Sequence, residues 1–352
     1  MERGNDRAGT ITVQTMASGD RAAWDRFVFA AGQATFFHRS GWKRVLEDAF
    51  GHETHYLMAQ VDGVVVGILP LGRIKSVFFG DSLISTPFCV HGGIVAEDGA
   101  VAMRLEQEAV ALAHRLGVDY LEMRPIAPMH PHWLAKDLYC VFRKEISNDP
   151  DKNLTAIPRK QRAEVRRGIN KGLTGSVDRD VAGVCYDVYA ESVHNLGTPV
   201  FSKRYFSVLK DEFGDDCDAL VIRDGRVPVA AVLNFYFRDQ VLPYYGGGIA
   251  AGRQFGATAF MYWDLMNRAA AERGVKVFDF GRSKVGSGSY DFKKYFGFEP
   301  MPLHYAFHLV RGAGMPNVSP NNPRYRLFID LWKKFPLGIS RLVGPIISRN
   351  LG

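Results

Sequence analysis

Two stretches of the chain share one pattern of apolar and polar residues. Residues 55–71 read HYLMAQVDGVVVGILPL and residues 217–237 read CDALVIRDGRVPVAAVLNFYF. Both are rich in β-branched and aromatic residues, which favour strands. Each contains one Asp-Gly pair, Asp62-Gly63 or Asp224-Gly225. Because Asp-Gly adopts the positive φ angles of a tight turn, both stretches predict a β-hairpin.

A glycine-ended strand and a helical pattern follow each hairpin. The glycine ends of these strands lie within HGGIVAEDG (91–99) in the first copy and PYYGGGIAAG (243–252) in the second. Apolar residues then recur at helical spacing. These positions are Leu105, Ala109, Leu112 and Leu116 in the first copy and Met261, Leu265 and Ala269 in the second. Gly117 and Gly274 are suited to end the helices, and a last strand leads to Glu122 or Asp279.

The order hairpin, strand, helix, strand therefore occurs twice. It predicts an α/β protein with two tandem domains whose mixed sheets are largely antiparallel. We place the first domain at residues 1–150 and the second at residues 151–310. We expect residues 311–352 to form a basic amphipathic segment that packs on the first domain.

Composition limits the class of protein, its partners and its expected location. The 352 residues are 47% hydrophobic, which suits two folded domains, and the net charge of +7 favours anionic partners. The cysteines are widely spaced, so we expect reduced thiols and no zinc site; they are Cys89, Cys140, Cys185 and Cys217. The first residues, MERGNDRAGTITVQ, lack an apolar core. We therefore expect no signal peptide and a cytoplasmic location.

Two basic segments each allow two interpretations. Residues 158–174, PRKQRAEVRRGINKGLT, predict either a solvated linker helix or a track for phosphate or RNA. Residues 323–352 mix large apolar residues with cations. They predict either a helix packed on the first domain or peripheral contact with the inner face of the cytoplasmic membrane.

The two long helices begin differently. Glu97 and Asp98 precede the first, where carboxylates cap free N–H groups and repel a further anion. The second begins with RQFGAT (253–258), which contains no acid, and such a start offers its N–H groups to a phosphate. We therefore expect an anionic donor in the second domain. The alternative is that Gly256 only permits a tight turn and Arg253 is solvated.

Residues 253–258 and residues 292–297 (FKKYFG) carry a family resemblance. The repeated unit resembles the acyl-CoA N-acyltransferase (GNAT) fold, whose usual turn is Arg/Gln-x-x-Gly-x-Gly/Ala; Thr258 departs from it. Two such units followed by FKKYFG resemble the FemAB family. HNLGTPVFSKRYF (194–206), YYGGG (244–248) and FDFGRS (278–283) resemble its branch associated with exosortase/PEP-CTERM and exopolysaccharide systems.

The resemblance implies an N-acyl or aminoacyltransferase. Fem enzymes transfer an amino acid from aminoacyl-tRNA to an amine of a peptidoglycan precursor, and the lysine of their Phe-Lys segment lies near the reacting carbonyl. Lys293 is the matching residue. A cation beside the carbonyl oxygen stabilises the charge that develops there, and losing such a donor costs about 3–4 kcal/mol. We expect Lys293 to be catalytic, with Phe292 beside it.

Further contacts are expected around this lysine. The predicted substrate contacts are Phe292, Asp279, Arg282, Tyr244 and Tyr245, and the predicted donor contacts are Arg253, Gln254 and Gly256. No bound cofactor or metal is expected. The expected partners are an acyl donor and an envelope or polysaccharide precursor, with the first domain as the acceptor side. The long helical-hairpin arm of some Fem proteins is missing from this sequence, so the donor stays open between aminoacyl-tRNA and acyl-CoA.

Three other hypotheses remain at this point. An acyl-CoA-dependent tandem GNAT enzyme would depend more on residues 253–258 than on Lys293. A non-enzymatic nucleic-acid-binding protein would use residues 158–174 and bind with a steep salt dependence. In a scaffold protein the glycine-rich residues 278–300 would be purely structural.

Overall fold

The computed structural model describes residues 9–76, 80–128, 132–311, 332 and 334–351. The chain divides into two compact units. The first is formed by residues up to Asp137 and by the segment that starts at Leu303. The second runs from Leu138 to Pro302 and takes in the C-terminal helix. Strands and helices are numbered in chain order across both units.

The first unit is built on one sheet of eight strands. They are β1 (Thr12–Thr15), β2 (Glu53–Val61), β3 (Val64–Ser76), β4 (Gly80–Ser85), β5 (Val95–Ala96), β6 (Tyr120–Met123), β7 (Leu134–Lys136) and β15 (Tyr305–Leu309). The helices are α1 (Arg21–Ala30), α2 (Gly41–Phe50) and α3 (Gly99–Leu116). The strand order is β1-β2-β3-β4-β6-β15-β7, with β5 on β3. All pairs are antiparallel except β4 with β6.

Local chemistry explains these elements. Asp62 and Gly63 both have positive φ (50° and 77°) and form the two-residue turn between β2 and β3, as predicted. Asp98 caps α3 by accepting the N–H of Val101 at 2.9 Å, and Gly117 ends the helix at φ 58°. The apolar face of α3 packs on the sheet through Leu105, Ala109 and neighbouring core residues.

The second unit is built on a sheet of seven strands. They are β8 (Tyr139–Glu145), β9 (Thr174–Asp178), β10 (Cys217–Asp224), β11 (Val227–Phe237), β12 (Gln240–Gly248), β13 (Val277–Lys284) and β14 (Pro300–Pro302). Its helices are α4 (Pro150–Ala156), α5 (Arg159–Lys171), α6 (Tyr186–Asn195), α7 (Lys203–Phe213), α8 (Ala250–Arg253), α9 (Ala257–Arg273), α10 (Gly288–Tyr295) and α11 (Leu337–Ser348). The strand order is β14-β8-β13-β12-β11-β10-β9.

The predicted order of the repeat is confirmed, although the third strand of the first copy, β4, ends at Ser85, before the glycines of residues 91–99 where its end was expected. The repeat consists of β2-β3-β4-α3-β6 in the first unit and β10-β11-β12-α9-β13 in the second, and each copy has one parallel strand pair in an otherwise antiparallel sheet. In the second hairpin Asp224 pairs with Val227, so the turn is Gly225-Arg226, one residue later than expected. Gly274 ends α9 at φ 64°.

The unit boundaries differ from residues 150 and 310. Strand β8 lies between β13 and β14 in the second sheet, and β15 lies between β6 and β7 in the first. Each unit thus receives a strand from the part of the chain assigned to the other. An alternating pattern of apolar residues predicts a strand, but it does not say which sheet the strand joins.

The C-terminal segment also differs from expectation. Helix α11 packs on α6 in the second unit, where Arg341 lies 2.9 Å from Asp187, whereas packing on the first unit was expected. Residues 312–331 of this segment lie outside the described residues. Among the helices that the structure describes, none has the length and apolar character needed to cross a membrane.

Candidate active site

Strand β13 contains a bulge at Phe280 and Gly281. Its register with β8 shifts between Asp279 and Arg282, so that two residues of β13 lie opposite Phe142 alone. Gly281 has φ 66°, a conformation that favours glycine. The Oδ1 atom of Asp279 accepts the N–H of Gly281 at 2.8 Å, which holds the bulge in place.

The side chain of Lys293 reaches this bulge from the next helix. Helix α10 begins after Ser287, whose hydroxyl accepts the N–H of Tyr290. The Nζ atom of Lys293 donates to the main-chain carbonyl oxygens of Phe280 at 2.6 Å, Gly281 at 3.1 Å and Arg282 at 3.1 Å. An ammonium group carries three hydrogens, so all of them are directed at the bulge. Lys293 therefore ties α10 to β13.

Burial controls the charges beside the bulge. Lys293 is 8% exposed and Asp279 is 5% exposed. Burial lowers the pKa of Lys293 to about 8, an effect that the Asp279 carboxylate partly opposes. Burial also raises the pKa of Asp279, which the guanidinium of Arg143 counters from 3.3 Å. With this pKa, Lys293 is mostly protonated at pH 7 and loses its proton at a lower pH than an exposed lysine does.

Aromatic rings surround the bulge. Phe292 lies in a cluster with Tyr262 and Phe296, with ring centres 5.8 and 5.6 Å away. The remaining rings of this cluster are Phe278, Phe280 and Phe298. The guanidinium of Arg282 lies 5.0 Å from the ring centre of Tyr139. Phe292 thus has a packing role here, and its contact with substrate stays a prediction, as does that of Arg282.

The parallel ladder between β12 and β13 is short. Gln240 pairs with Val277 and Val241 with Phe278, and within the described residues the ladder ends there. Both strands continue along their outer partners, β12 to Gly248 beside β11 and β13 to Lys284 beside β8. After Val241 the two strands therefore separate, and this end of the β12–β13 ladder is called the opening below. Backbone groups that have lost a strand partner need another hydrogen-bonding partner, such as water or a ligand.

The two tyrosines of β12 lie beyond the end of this ladder. The ring of Tyr245 packs among the aromatic side chains of α6 and α7, and its hydroxyl lies 3.0 Å from that of Tyr205. Tyr244 packs against Phe235 and Tyr245. Both are half-buried, and their role in binding substrate stays a prediction.

The start of α9 lies against the end of β12. A Cβ atom on Gly248 would lie 2.6 Å from Oγ1 of Thr258, so the two elements touch closely. The residue before the helix, Gly256, has φ 66° and provides no side-chain cap. A Cβ on Gly256 would lie 2.3 Å from the carbonyl oxygen of Glu164 in α5. The tight approach explains this glycine without a ligand, while Arg253 and Gln254 are exposed beside the uncapped helix start.

Comparison with known proteins agrees with this architecture. Residues 159–294 match the family model described as an acetyltransferase (GNAT) domain. The solved structure of FemX superposes with a TM-score of 0.67 at 13% identity, over 90% of this chain and 100% of FemX. A tandem GNAT protein from the clavulanic acid biosynthesis pathway gives a TM-score of 0.54 at 13% identity, over 87% of this chain and 100% of that one.

A third structure is the C-terminal domain of a putative lysylphosphatidylglycerol synthetase from Agrobacterium fabrum. It gives a TM-score of 0.56 at 15% identity, over 84% of this chain and 93% of that one. None of the curated proteins matches the chain in sequence. The chain has a tandem GNAT-like fold. The match of residues 159–294 to this domain model, together with the FemX-like fold, supports an acyltransferase.

The GNAT domain begins with the basic helix α5, which is not a linker. Val165 and Gly168 are buried, and a Cβ on Gly168 would lie 2.7 Å from Cβ of Phe260 in α9. The outer face forms a groove of about 390 Å³ lined by Arg159, Arg162, Ala163, Arg166, Arg167 and Asn170. Because Gly256 touches Glu164, this basic face adjoins the uncapped start of α9.

The first unit is closed at the corresponding position. Strands β4 and β6 pair from Ser82–Tyr120 to Ile84–Glu122, and the Arg124 N–H then donates to Oγ of Ser85 at 2.8 Å. The buried Arg124 side chain donates to Glu122 at 2.7 Å and occupies the end of the ladder. In the first unit, Arg124 thus lies where the β12–β13 ladder ends in the second unit, and Asp98 caps the helix that corresponds to α9.

Two features of the GNAT domain were not predicted from the sequence. Arg143, the partner of Asp279, was missed because β8 was assigned to the first domain. A polar cavity of about 190 Å³ lies beside α9, and the buried Asp218 there accepts from Asn234, Tyr236 and Arg273. Among the described residues, no group of three or more His, Cys, Asp or Glu side chains is arranged to hold a metal ion.

Proposed function

We propose that this protein transfers an acyl or aminoacyl group from an activated donor to an amine of a cell-envelope or exopolysaccharide precursor, forming an amide. The observation that carries the proposal is the early end of the β12–β13 ladder inside the GNAT domain, beside an uncapped helix start. FemX has the same fold, and so does the C-terminal domain of a putative lysylphosphatidylglycerol synthetase. The exosortase/PEP-CTERM resemblance favours a polysaccharide precursor.

The reaction requires few groups. A neutral amine attacks the carbonyl carbon of an ester or thioester, and negative charge gathers on the carbonyl oxygen. The intermediate then collapses, the C–N bond remains, and the alcohol or thiol of the donor leaves and takes a proton. Main-chain N–H groups of β12 along the opening are suited to stabilise the oxygen, as are cations near it. We assign the donor to the second unit and the acceptor to the first.

Lys293 is the residue on which we expect the reaction to depend. Its ammonium holds the bulge in β13, and exchanging one of its carbonyl partners for the donor carbonyl would bring it into direct contact with substrate. The Asp279 carboxylate, which Arg143 contacts from 3.3 Å, partly balances its charge. Phe292, Arg282, Tyr244 and Tyr245 belong to the proposed substrate region.

Two donor classes fit different features of the GNAT domain. Acyl-CoA has an extended arm with amide groups, which suits the part of β12 beyond its ladder with β13, and pyrophosphate, which suits the start of α9 near Arg253, Gln254 and Gly256. Aminoacyl-tRNA is a polyanion, which suits the basic groove on α5. The proposed reaction allows either donor. The second candidate function is a GNAT N-acyltransferase that depends on acyl-CoA alone.

The test is transfer of a labelled group from charged tRNA or from acyl-CoA into an extract of envelope and polysaccharide precursors. We expect Lys293→Met to lower transfer by about a hundredfold, the order of effect that loss of one such donor produces. The matched control is Lys294→Met, which removes an exposed neighbouring lysine and should leave transfer within about twofold of wild type. Thermal melting checks that both variants fold.

Each outcome has a defined meaning. Transfer that is lost after RNase treatment identifies tRNA as the donor, and RNase-resistant transfer from acyl-CoA identifies the thioester. Full activity of a folded Lys293→Met variant would remove Lys293 from the mechanism. Failure of both donors with wild-type protein would contradict the proposed reaction.

A further inference from the structure

Helix α11 packs with its small residues inward. Ser340, Gly344 and Ser348 recur every four residues and are buried. The hydroxyl of Ser340 lies 2.8 Å from Nδ1 of His194 in α6, and Ser348 donates to the carbonyl oxygen of Val200. A Cβ on Gly344 would lie 2.7 Å from that same oxygen. The close backbone approach fixes which side of α11 faces the protein.

The opposite side of α11 exposes its large apolar residues. Leu342 is 76% exposed and Ile346 is 65% exposed, and Ile339 and Val343 lie beside them at 42% and 39%. Phe335, just before the helix, is 44% exposed. Their spacing places these side chains on one face. A surface helix of a water-soluble protein normally buries its large apolar side chains, whereas α11 exposes them and buries its small residues.

The charged residues of α11 and of the residues directly flanking it in the chain are all cationic. Residues 332–352 contain Lys333, Lys334, Arg341 and Arg349 and no acidic residue. Arg341 stands beside the apolar face, where it also reaches Asp187. Cations flanking exposed leucine and isoleucine side chains match the chemistry of an anionic bilayer, where apolar groups enter the acyl region and cations meet lipid phosphates.

We propose that α11 docks this protein on an anionic lipid surface. Leu342, Ile346 and Phe335 enter the bilayer interface, with the helix lying in the membrane plane. The fixed contacts of Ser340 and Gly344 with α6 and Val200 hold the apolar face outward, so docking needs no rearrangement of the helix. The inference is independent of the proposed reaction, because α11 contributes no residue to the candidate active site.

The test is flotation of the full chain with vesicles of phosphatidylcholine alone or with phosphatidylglycerol added. The key variant is Leu342→Glu/Ile346→Glu. The matched control is Val64→Glu/Met103→Glu, which makes the same change at two exposed apolar residues of the first unit, at 54% and 62% exposure. We expect wild type and control to float with phosphatidylglycerol vesicles, and the α11 variant to bind at least about tenfold more weakly.

Three results would overturn the proposal. The first is wild-type protein that does not float with the anionic vesicles. The second is an α11 variant, folded by circular dichroism, that floats as well as the control. The third is a wild-type dimer in light scattering that becomes monomeric in the α11 variant while neither binds lipid, because the face would then cover a second copy of the chain.

Discussion

The buried side chain of Lys293 donates to three main-chain carbonyl oxygens at the β13 bulge. The segment FKKYFG singled out the first lysine of the pair, and the structure buries Lys293 and exposes Lys294. The sequence did not predict that the Nζ atom binds three carbonyl oxygens of a bulge. That arrangement depends on the register between β13 and β8, which no local pattern specifies.

The burial of Lys293 leads to a pH prediction for stability. Its pKa is about 8 in the folded protein and about 10.5 in the unfolded chain. Between these values the unfolded chain binds more protons, so this residue makes the protein more stable as the pH rises from 8 towards 10.5. Relative to Lys293→Met, the free energy of unfolding of wild type should therefore increase over this range, by at most about 3 kcal/mol. Urea denaturation at pH 7, 8, 9 and 10 measures it.

Other titrating groups change the free energy of unfolding of wild type and Lys293→Met equally, so their effect cancels in the difference between the two proteins. Lys294→Met serves as the control because that side chain is exposed on the same helix. A difference between wild type and Lys293→Met that stays constant from pH 7 to 10 would show that the three carbonyl oxygens keep the ammonium protonated. In that case Lys293 would act only as a fixed cation.

At the scale of elements, α5 and the start of α9 illustrate what periodicity can and cannot predict. The basic stretch 158–174 was correctly expected to be helical, and α5 spans Arg159–Lys171. Its packing against α9 was not expected, because only Val165 and Gly168 are buried and the second is a glycine. A glycine gives no apolar signal, although it allows α5 to approach Phe260 closely.

The basic face of α5 predicts a donor-dependent effect of charge reversal. Arg159 and Arg166 are exposed, whereas Arg162 donates to the main chain at Thr155 and Ile157 and is left intact. If the donor is tRNA, Arg159→Glu/Arg166→Glu should weaken its binding by about tenfold or more and flatten the salt dependence, because two phosphate contacts are lost. The KM for acyl-CoA should change little. Fluorescence anisotropy against salt concentration, together with steady-state kinetics, measures both effects.

A single reversal elsewhere controls for net charge. Arg226→Glu changes an exposed residue in the β10–β11 turn and should affect neither donor. Because it reverses one cation instead of two, a loss of tRNA binding free energy half as large in this variant would show that only the overall charge matters. Unchanged tRNA binding in the α5 variant would exclude the groove as the donor surface.

At the scale of the whole molecule, the repeat could be predicted but the exchange of strands could not. Two Asp-Gly pairs, two amphipathic helices and their glycine caps were enough to predict two similar sheets. Strands β8 and β15 lie outside the repeats, and each pairs with a partner that is remote in sequence. Such pairing depends on tertiary packing, so the boundaries at 150 and 310 followed sequence order and missed it.

This exchange predicts which fragments fold. Residues 1–150 lack β15, which occupies the place between β6 and β7, so the first sheet would lose an interior strand. Within the first sheet Lys136 pairs with Tyr305 in antiparallel register. A short glycine-containing turn in place of residues 138–302 should therefore join β7 to β15 as a hairpin and restore the sheet. We expect this shortened chain to unfold cooperatively in urea and residues 1–150 to show no cooperative transition. Cooperative unfolding of residues 1–150 to the same degree would mean that the first unit is stable without β15, and that the strand exchange contributes little to its folding.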